Sequence, residues 1–166
     1  MIPIPVGGIW LDLACGANKQ PGAVGMDIRA LPGVDIVQDL YELPWPLPDD
    51  CCARVLMSHI VEHLQPWRVW DIFNEVWRVM QPRGQLFIAT PYAGSPRFWQ
   101  DPTHTHGWME ATPQYLDPAY PLYGIYRPQP WHIDLLEWHS VGDLSVILSK
   151  LPEPEPAYGT HENPSA

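Results

Sequence analysis

The 166-residue chain carries four groups of residues whose types and spacing could do chemistry. The first is Asp12, set inside the apolar run Ile9-Trp-Leu-Asp-Leu-Ala14 and followed at once by Cys15-Gly16. A buried carboxylate without a partner is costly, so Asp12 must meet a donor or a ligand. The turn after Leu13 exposes backbone N–H groups, and Gly16 lets a ligand approach the backbone closely. Asp27 ends a second run, Ala23-Val-Gly-Met-Asp-Ile28, where it can accept hydrogen bonds from a ribose diol, as the acidic residue does in nucleoside-binding α/β folds. His59-Ile-Val-Glu-His63 has H-x-x-E-H spacing; on a helix its two histidines could ligate zinc, while Glu62 and His63 serve equally well beside a ligand or as capping and core groups. Asp101-Pro-Thr-His-Thr-His106 puts two histidines on one face of an extended segment, for a metal or for proton transfer near neutral pH; plain loop histidines read the same way.

The elements that must position these groups follow from hydrophobic patterning. Ile9–Ala14, Ala23–Ile28, Val34–Val37, Arg54–Ser58 and Gly84–Thr90 are short apolar runs, as buried parallel strands are. Between the last two, Val69, Phe73, Val76 and Met80 recur at helical spacing, which predicts a helix over residues 66–80 with Pro66 in its first turn and Gln81-Pro-Arg-Gly84 as its stop. Trp131–Trp138 and Leu144–Ser149 predict two late strands. Strands alternating with helices or turns argue for an open α/β sheet. Residues 91–130 hold eight prolines and eight Tyr, Phe or Trp residues with no sustained period; a stretch that long is expected to be a lid or substrate wall. The expected organisation is one domain over 1–150 and a flexible, acidic, Pro-rich tail over 151–166.

Composition narrows the function classes. A net charge of −10 disfavours duplex nucleic acid as a partner. No run approaches the ~18 apolar residues of a membrane span, and Met1-Ile-Pro-Ile-Pro5 lacks the basic and apolar regions of a secretory signal. Three cysteines, two of them adjacent, make a poor disulfide framework. The expectation is a cytoplasmic protein without a membrane partner, monomeric or homodimeric. The turn Cys15-Gly-Ala-Asn-Lys19 has one glycine where a dinucleotide cradle wants G-x-G-x-x-G, and a P-loop is absent.

Leu11-Asp-Leu-Ala-Cys-Gly16, Gly25-Met-Asp-Ile28, Asp39-Leu40 with Leu43-Pro-Trp-Pro46, Ser58-His-Ile-Val-Glu-His-Leu64 and Val79-Met-Gln-Pro-Arg-Gly-Gln85 occur in that order. Together they resemble the motifs of class I S-adenosylmethionine-dependent methyltransferases of the small methyltransferase-domain type, over about residues 9–92. The resemblance implies a Rossmann-like sheet of order 3-2-1-4-5-7-6 with a C-terminal antiparallel hairpin and reduced helix content. It implies S-adenosylmethionine as cofactor and S-adenosylhomocysteine as product. Cofactor contacts would fall to Asp12, Ala14, Cys15, Gly16, Asp27, Ile28, Asp39, Leu40, Ser58 and His59. Catalytic or substrate contacts would fall to Glu62, His63, His104 and His106, with no metal assigned. The acceptor would be an oxygen or nitrogen of a small molecule, glycan or protein, since the elements of DNA amino- and cytosine-methylating enzymes are absent. The alternative is a catalytically silent binding or scaffold protein on the same fold. One departure supports that alternative: only seven residues separate Gly16 from Val24, too few for the usual crossover helix. Lys19 could then supply the charge lost with that helix.

Overall fold

The computed structural model describes residues 3–152, so the expected tail lies outside the described residues from position 153 onward. Every predicted strand forms. β1 (Ile9–Leu13), β2 (Val24–Asp27), β3 (Ile36–Val37), β4 (Cys52–Ser58) and β5 (Met80–Pro91) are followed by the hairpin of β6 (Trp131–Trp138) and β7 (Asp143–Lys150). They make one seven-stranded sheet in the order β3-β2-β1-β4-β5-β7-β6. Neighbours from β3 to β5 are parallel, while β5–β7 and β7–β6 are antiparallel. The described helices are α1 (Val69–Val79), the single turn α2 (Pro96–Trp99) and three 3₁₀ turns at Val61–His63, Pro113–Leu116 and Tyr123–Ile125.

The two sheet faces differ. Leu11, Val55, Leu86 and Leu148 lie in register across four strands and are fully buried. They form one apolar cluster with Ile72, Phe73 and Val76 of α1, whose spacing puts one helix face on the sheet. The next row, Asp12, Leu56, Phe87 and Ile147, points the other way. Its three apolar members are only half-buried, and Leu135, paired with Ile147, is 38% exposed. The turns linking β1 to β2 pack over the Asp12 end of that row.

Two boundaries differ from the sequence expectation. Pro66 lies in a turn ahead of the helix, which starts at Val69 after the N-cap Arg68. The Gln81–Gly84 segment is no turn but the start of β5: Met80 leaves the helix in an extended conformation, and Arg83 absorbs a positive φ of 65°. The pairing of β4 with β5 shifts register there, between Cys52 and Arg54, a bulge that carries the chain from helix into strand without a separate loop.

Candidate functional site

The site is built around the β1–β2 link, residues 14–23, which spans parallel neighbours by turns alone. Side-chain carboxylates supply the bonds a helix would otherwise provide. Asp12, 3% exposed, accepts the Gln20 N–H at 2.8 Å. Burial raises its pKa, against the opposing pull of that N–H and of the Lys19 charge. Asp35 accepts the Gly25 N–H at 2.8 Å and the Lys19 ammonium at 2.7 Å, and the Lys19 bond leads in holding its pKa below the usual value. Lys19 is thus committed to Asp35 rather than standing free beside the turn. Gly16, at φ 57°, adopts a conformation costly for other residues, and its N–H donates to Asp27 Oδ2 at 2.8 Å. Asp27 Oδ1 accepts the Arg29 main-chain N–H at 2.9 Å and its Nε at 3.1 Å. Burial alone would raise the Asp27 pKa; the Arg29 and Gly16 donors together outweigh it and lower it. Burial, with Asp12 and Asp27 nearby, pushes the Cys15 thiol up, which disfavours its thiolate form.

Beside Asp27 lies a cavity of about 180 Å³, lined by Ala14, Asp27, Ile28, Gln38, Asp39, Leu40, Tyr41, Ile60, His63 and Leu64. It opens at the carboxyl ends of β2 and β3, where ligands of open α/β sheets bind. Helix α1 fixes the loop that carries Asp39 to Tyr41. Buried Glu75 accepts the Trp45 N–H at 2.7 Å and pairs with Arg78 at 2.6 Å. Arg78 in turn donates to Leu47 O at 3.0 Å, and Trp45 Nε1 donates to Leu40 O at 3.1 Å. Asp39 Oδ1 accepts the Tyr41 N–H at 2.9 Å, and its other oxygen has no protein donor among the described residues.

After β4 the chain turns sharply at His59, φ 54°, so His59 and His63 do not stand on one helix as the spacing alone would place them. Glu62 is fully buried; Thr90 Oγ1 donates to its Oε2 at 3.0 Å, and His59 Nδ1 lies 3.3 Å from Oε1. That contact, chiefly, raises the His59 pKa. The Asp101–His106 segment folds back over this turn, where the Thr105 and His106 N–H groups both donate to Glu62 O, at 2.9 and 3.0 Å. His104 meets His63 edge to face, ring centroids 4.7 Å apart. His106 does not share that face: the segment is a series of turns rather than an extended strand, and His106 stands beside Trp108. Burial lowers its pKa, which keeps the imidazole neutral.

His106 belongs to a second cavity, about 440 Å³, whose walls include Trp70, Phe73, Trp108, Tyr115 and Tyr126. Trp108 is 1% exposed and stacks on Phe73 at 5.9 Å. The 91–130 stretch is therefore pinned to the core by Trp108, as it is by buried Phe98 and Leu116. His106 Nδ1 and Trp108 Nε1 are buried there without a protein partner.

Of the expected cofactor contacts, Ala14, Asp27, Ile28, Asp39 and Leu40 line the smaller cavity, joined by His63 from the expected catalytic set. Asp12, Cys15, Gly16, Ser58 and His59 do not line it. Asp12 and Gly16 shape the turn beside it, Ser58 is exposed, and His59 is turned toward Glu62. Gln38, Tyr41, Ile60 and Leu64 line it without having been singled out; Tyr41 adjoins Asp39-Leu40, and Ile60 and Leu64 lie within the Ser58–Leu64 motif.

A model of the methyltransferase domain family matches residues 14–88. No curated protein matches the chain. Solved structures do. An S-adenosylmethionine-dependent methyltransferase from Archaeoglobus fulgidus aligns at 19% identity and TM-score 0.59, covering 86% of each chain. One from Aquifex aeolicus aligns at 15% and 0.62, covering 87% of this chain and 83% of its own. The 1,6-didemethyltoxoflavin-N1-methyltransferase of Burkholderia thailandensis, solved with its substrate and S-adenosylhomocysteine, aligns at 11% and 0.62, covering 87% and 71%. At these identities the likeness is one of fold.

Proposed function

We infer that this chain, a class I methyltransferase by sheet order and by the domain match over residues 14–88, binds S-adenosylmethionine in the Asp27–Asp39 cavity and transfers its methyl group to an oxygen or nitrogen acceptor. The carrying observation is the convergence of Asp27, Asp39 and Leu40 on one cavity at the carboxyl ends of β2 and β3.

The residues fit that cofactor. A carboxylate offers about four acceptor positions; Asp27 uses three on Gly16 and Arg29, which leaves one for a ribose hydroxyl. The second Asp39 oxygen and the Leu40 N–H suit the donor and acceptor edge of an adenine. Ile28, Ile60 and Leu64 supply apolar walls for the ring. The cavity is smaller than the ~300–1,000 Å³ of a site that encloses a whole ligand. It suits a gripped base, with the rest of the molecule running out past the Gly16 turn. Bound there, S-adenosylmethionine supplies an activated methyl group on a sulfonium.

Such a transfer is an in-line displacement, governed by positioning and exclusion of water. The aromatic cavity is the proposed acceptor site, because its walls favour a flat small molecule. His63 lines the cofactor cavity and meets His104 edge to face, so this pair is proposed to face the acceptor, with the Glu62 main-chain carbonyl holding the Thr105–His106 segment in place. A glycan or protein side chain remains within the same reading, and we place the protein in the cytoplasm, where its three free thiols stay reduced.

A second reading, a silent scaffold, is favoured by the same link that lacks a helix, since its carboxylates are already engaged. Calorimetric titration of the ligand-stripped protein with S-adenosylhomocysteine, with NAD as control, separates the two. Micromolar binding of the first alone is expected; binding of neither would sink the cofactor assignment.

A further inference from the structure

We propose that Glu62, His63 and His104 form a binding site for one divalent first-row transition-metal ion of the zinc or cobalt kind. One ligand atom from each of the three lies within 4.8 Å of the others. The set combines two segments forty residues apart, clamped by the Thr105 and His106 N–H bonds to Glu62 O and by Thr105 Oγ1 to Leu64 O at 3.3 Å.

The hydrogen bonds around the histidines define their tautomers. His104 Nδ1 lies 2.6 Å from Phe98 O. A carbonyl only accepts, so Nδ1 carries the proton, and the neutral ring has its lone pair on Nε2. Thr103 Oγ1 donates its one proton to Asp101 Oδ1 at 2.6 Å. Its contact with His63 Nδ1 at 3.0 Å therefore has the ring as donor, and the neutral His63 ring likewise has its lone pair on Nε2. Two imidazoles, each donating Nδ1–H to a protein oxygen and each with a free Nε2, is the arrangement in which outer partners orient metal-bound histidines. Asp101 Oδ2 lies 3.9 Å from His104 Nε2, beyond hydrogen-bond reach.

Glu62 supplies the second, independent observation. Its side chain is 0% exposed, Thr90 occupies Oε2, and Oε1 has no hydrogen-bond partner among the described residues. His59 Nδ1 pairs with Oε1 at 3.3 Å from a 45% exposed ring, a contact outside hydrogen-bond alignment. A fully buried carboxylate whose one nearby imidazole is half-exposed has an oxygen to offer a second cation. Two neutral imidazoles and one carboxylate suit zinc, cobalt, iron or manganese and not calcium or magnesium, which take oxygen donors. Three protein ligands leave a coordination position for water or an acceptor oxygen, and His63 also lines the Asp27–Asp39 cavity, so the ion would stand at its rim. The inference does not rest on what that cavity binds.

The test is titration of the untagged, chelator-treated full chain with Co²⁺ alone, followed by its d–d absorption. The expected result is one ion per chain at about micromolar affinity, with no thiolate charge-transfer band. His63→Gln and His104→Gln should each weaken binding at least about tenfold, while His132→Gln on β6 should not. Thr103→Val keeps both histidines but removes the group that orients His63, and should weaken binding roughly 10–100-fold; it carries the test if either histidine variant fails to melt cooperatively. Absence of saturable binding below about 1 mM, or binding unchanged in His63→Gln, His104→Gln and Thr103→Val, would overturn the site. S-adenosylhomocysteine titrated into the same chelated protein reads the cofactor assignment separately.

Discussion

The Gly16 N–H donates to Asp27 Oδ2 at 2.8 Å, tying the turn after β1 to the end of β2. One carboxylate thus braces the short link and faces the cavity. Asp27→Ala removes both roles. S-adenosylhomocysteine binding should fall more than about tenfold, given ~1.5–3 kcal/mol for a hydrogen bond to a charged group and ~1.4 kcal/mol per decade. Asp27→Asn keeps one acceptor oxygen and should fall less. Calorimetry on both variants decides it; equal affinity for wild type and Asp27→Ala would remove Asp27 from the site.

The same link predicts a pH dependence. Asp35 has its pKa lowered chiefly by Lys19 and then by the Gly25 N–H. A carboxylate depressed in the folded state stabilises it above its unfolded pKa of about 3.9, and that contribution is lost as pH falls through the lower, folded value. Both partners are partly exposed, so the effect is modest. The melting temperature of wild type should exceed that of Asp35→Asn near pH 6, and the gap should close as pH falls below the unfolded value and through the lower, folded one. A gap that persists would mean that the pair does not brace the link.

The strands were legible because each is an apolar run bounded by turn residues, and the strand order followed from the resemblance. The acids Asp12, Asp27 and Asp39 were legible because a carboxylate in or beside such a run must be paired. Other features were not. Tyr41, Ile60 and Leu64 line the cavity through shape, and neutral side chains carry no local mark of that. The meeting of His63 with His104 depends on how residues 100–106 fold back over a 3₁₀ turn, which no spacing within either segment encodes. His59, four residues from His63, made the more visible pair. The left-handed backbone at His59 separates them from a shared helix face.

The 91–130 stretch gives a stability prediction. Phe73 is fully buried on α1 and stacks on Trp108, so Phe73→Ala should cost about 3–5 kcal/mol in urea denaturation. Tryptophan fluorescence and far-ultraviolet circular dichroism should report one shared, earlier transition. If Trp108 instead became exposed while the sheet kept its wild-type midpoint, the stretch would be a detachable lid and not part of the core.

Helix α1 also holds the proposed adenine loop, through Glu75. Its carboxylate is 7% exposed and joins the Trp45 N–H to Arg78, whose guanidinium reaches Leu47 O. Removing one partner of a buried pair with no other partner costs about 3–5 kcal/mol; Arg78 is partly exposed and keeps its pair with Asp49, so Glu75→Ala should cost less than that. Glu75→Gln keeps an acceptor for the Trp45 N–H and should lose less stability. Because Trp45 Nε1 in turn holds Leu40 O, both variants should also bind S-adenosylhomocysteine more weakly, with Glu75→Ala the weaker of the two, though Glu75 touches no part of the cavity. Melting curves and calorimetry on the pair read the two effects apart. Affinity unchanged in a destabilised Glu75→Ala would show that the Asp39–Tyr41 loop keeps its shape without the helix, and that the cavity is set by β2 and β3 alone.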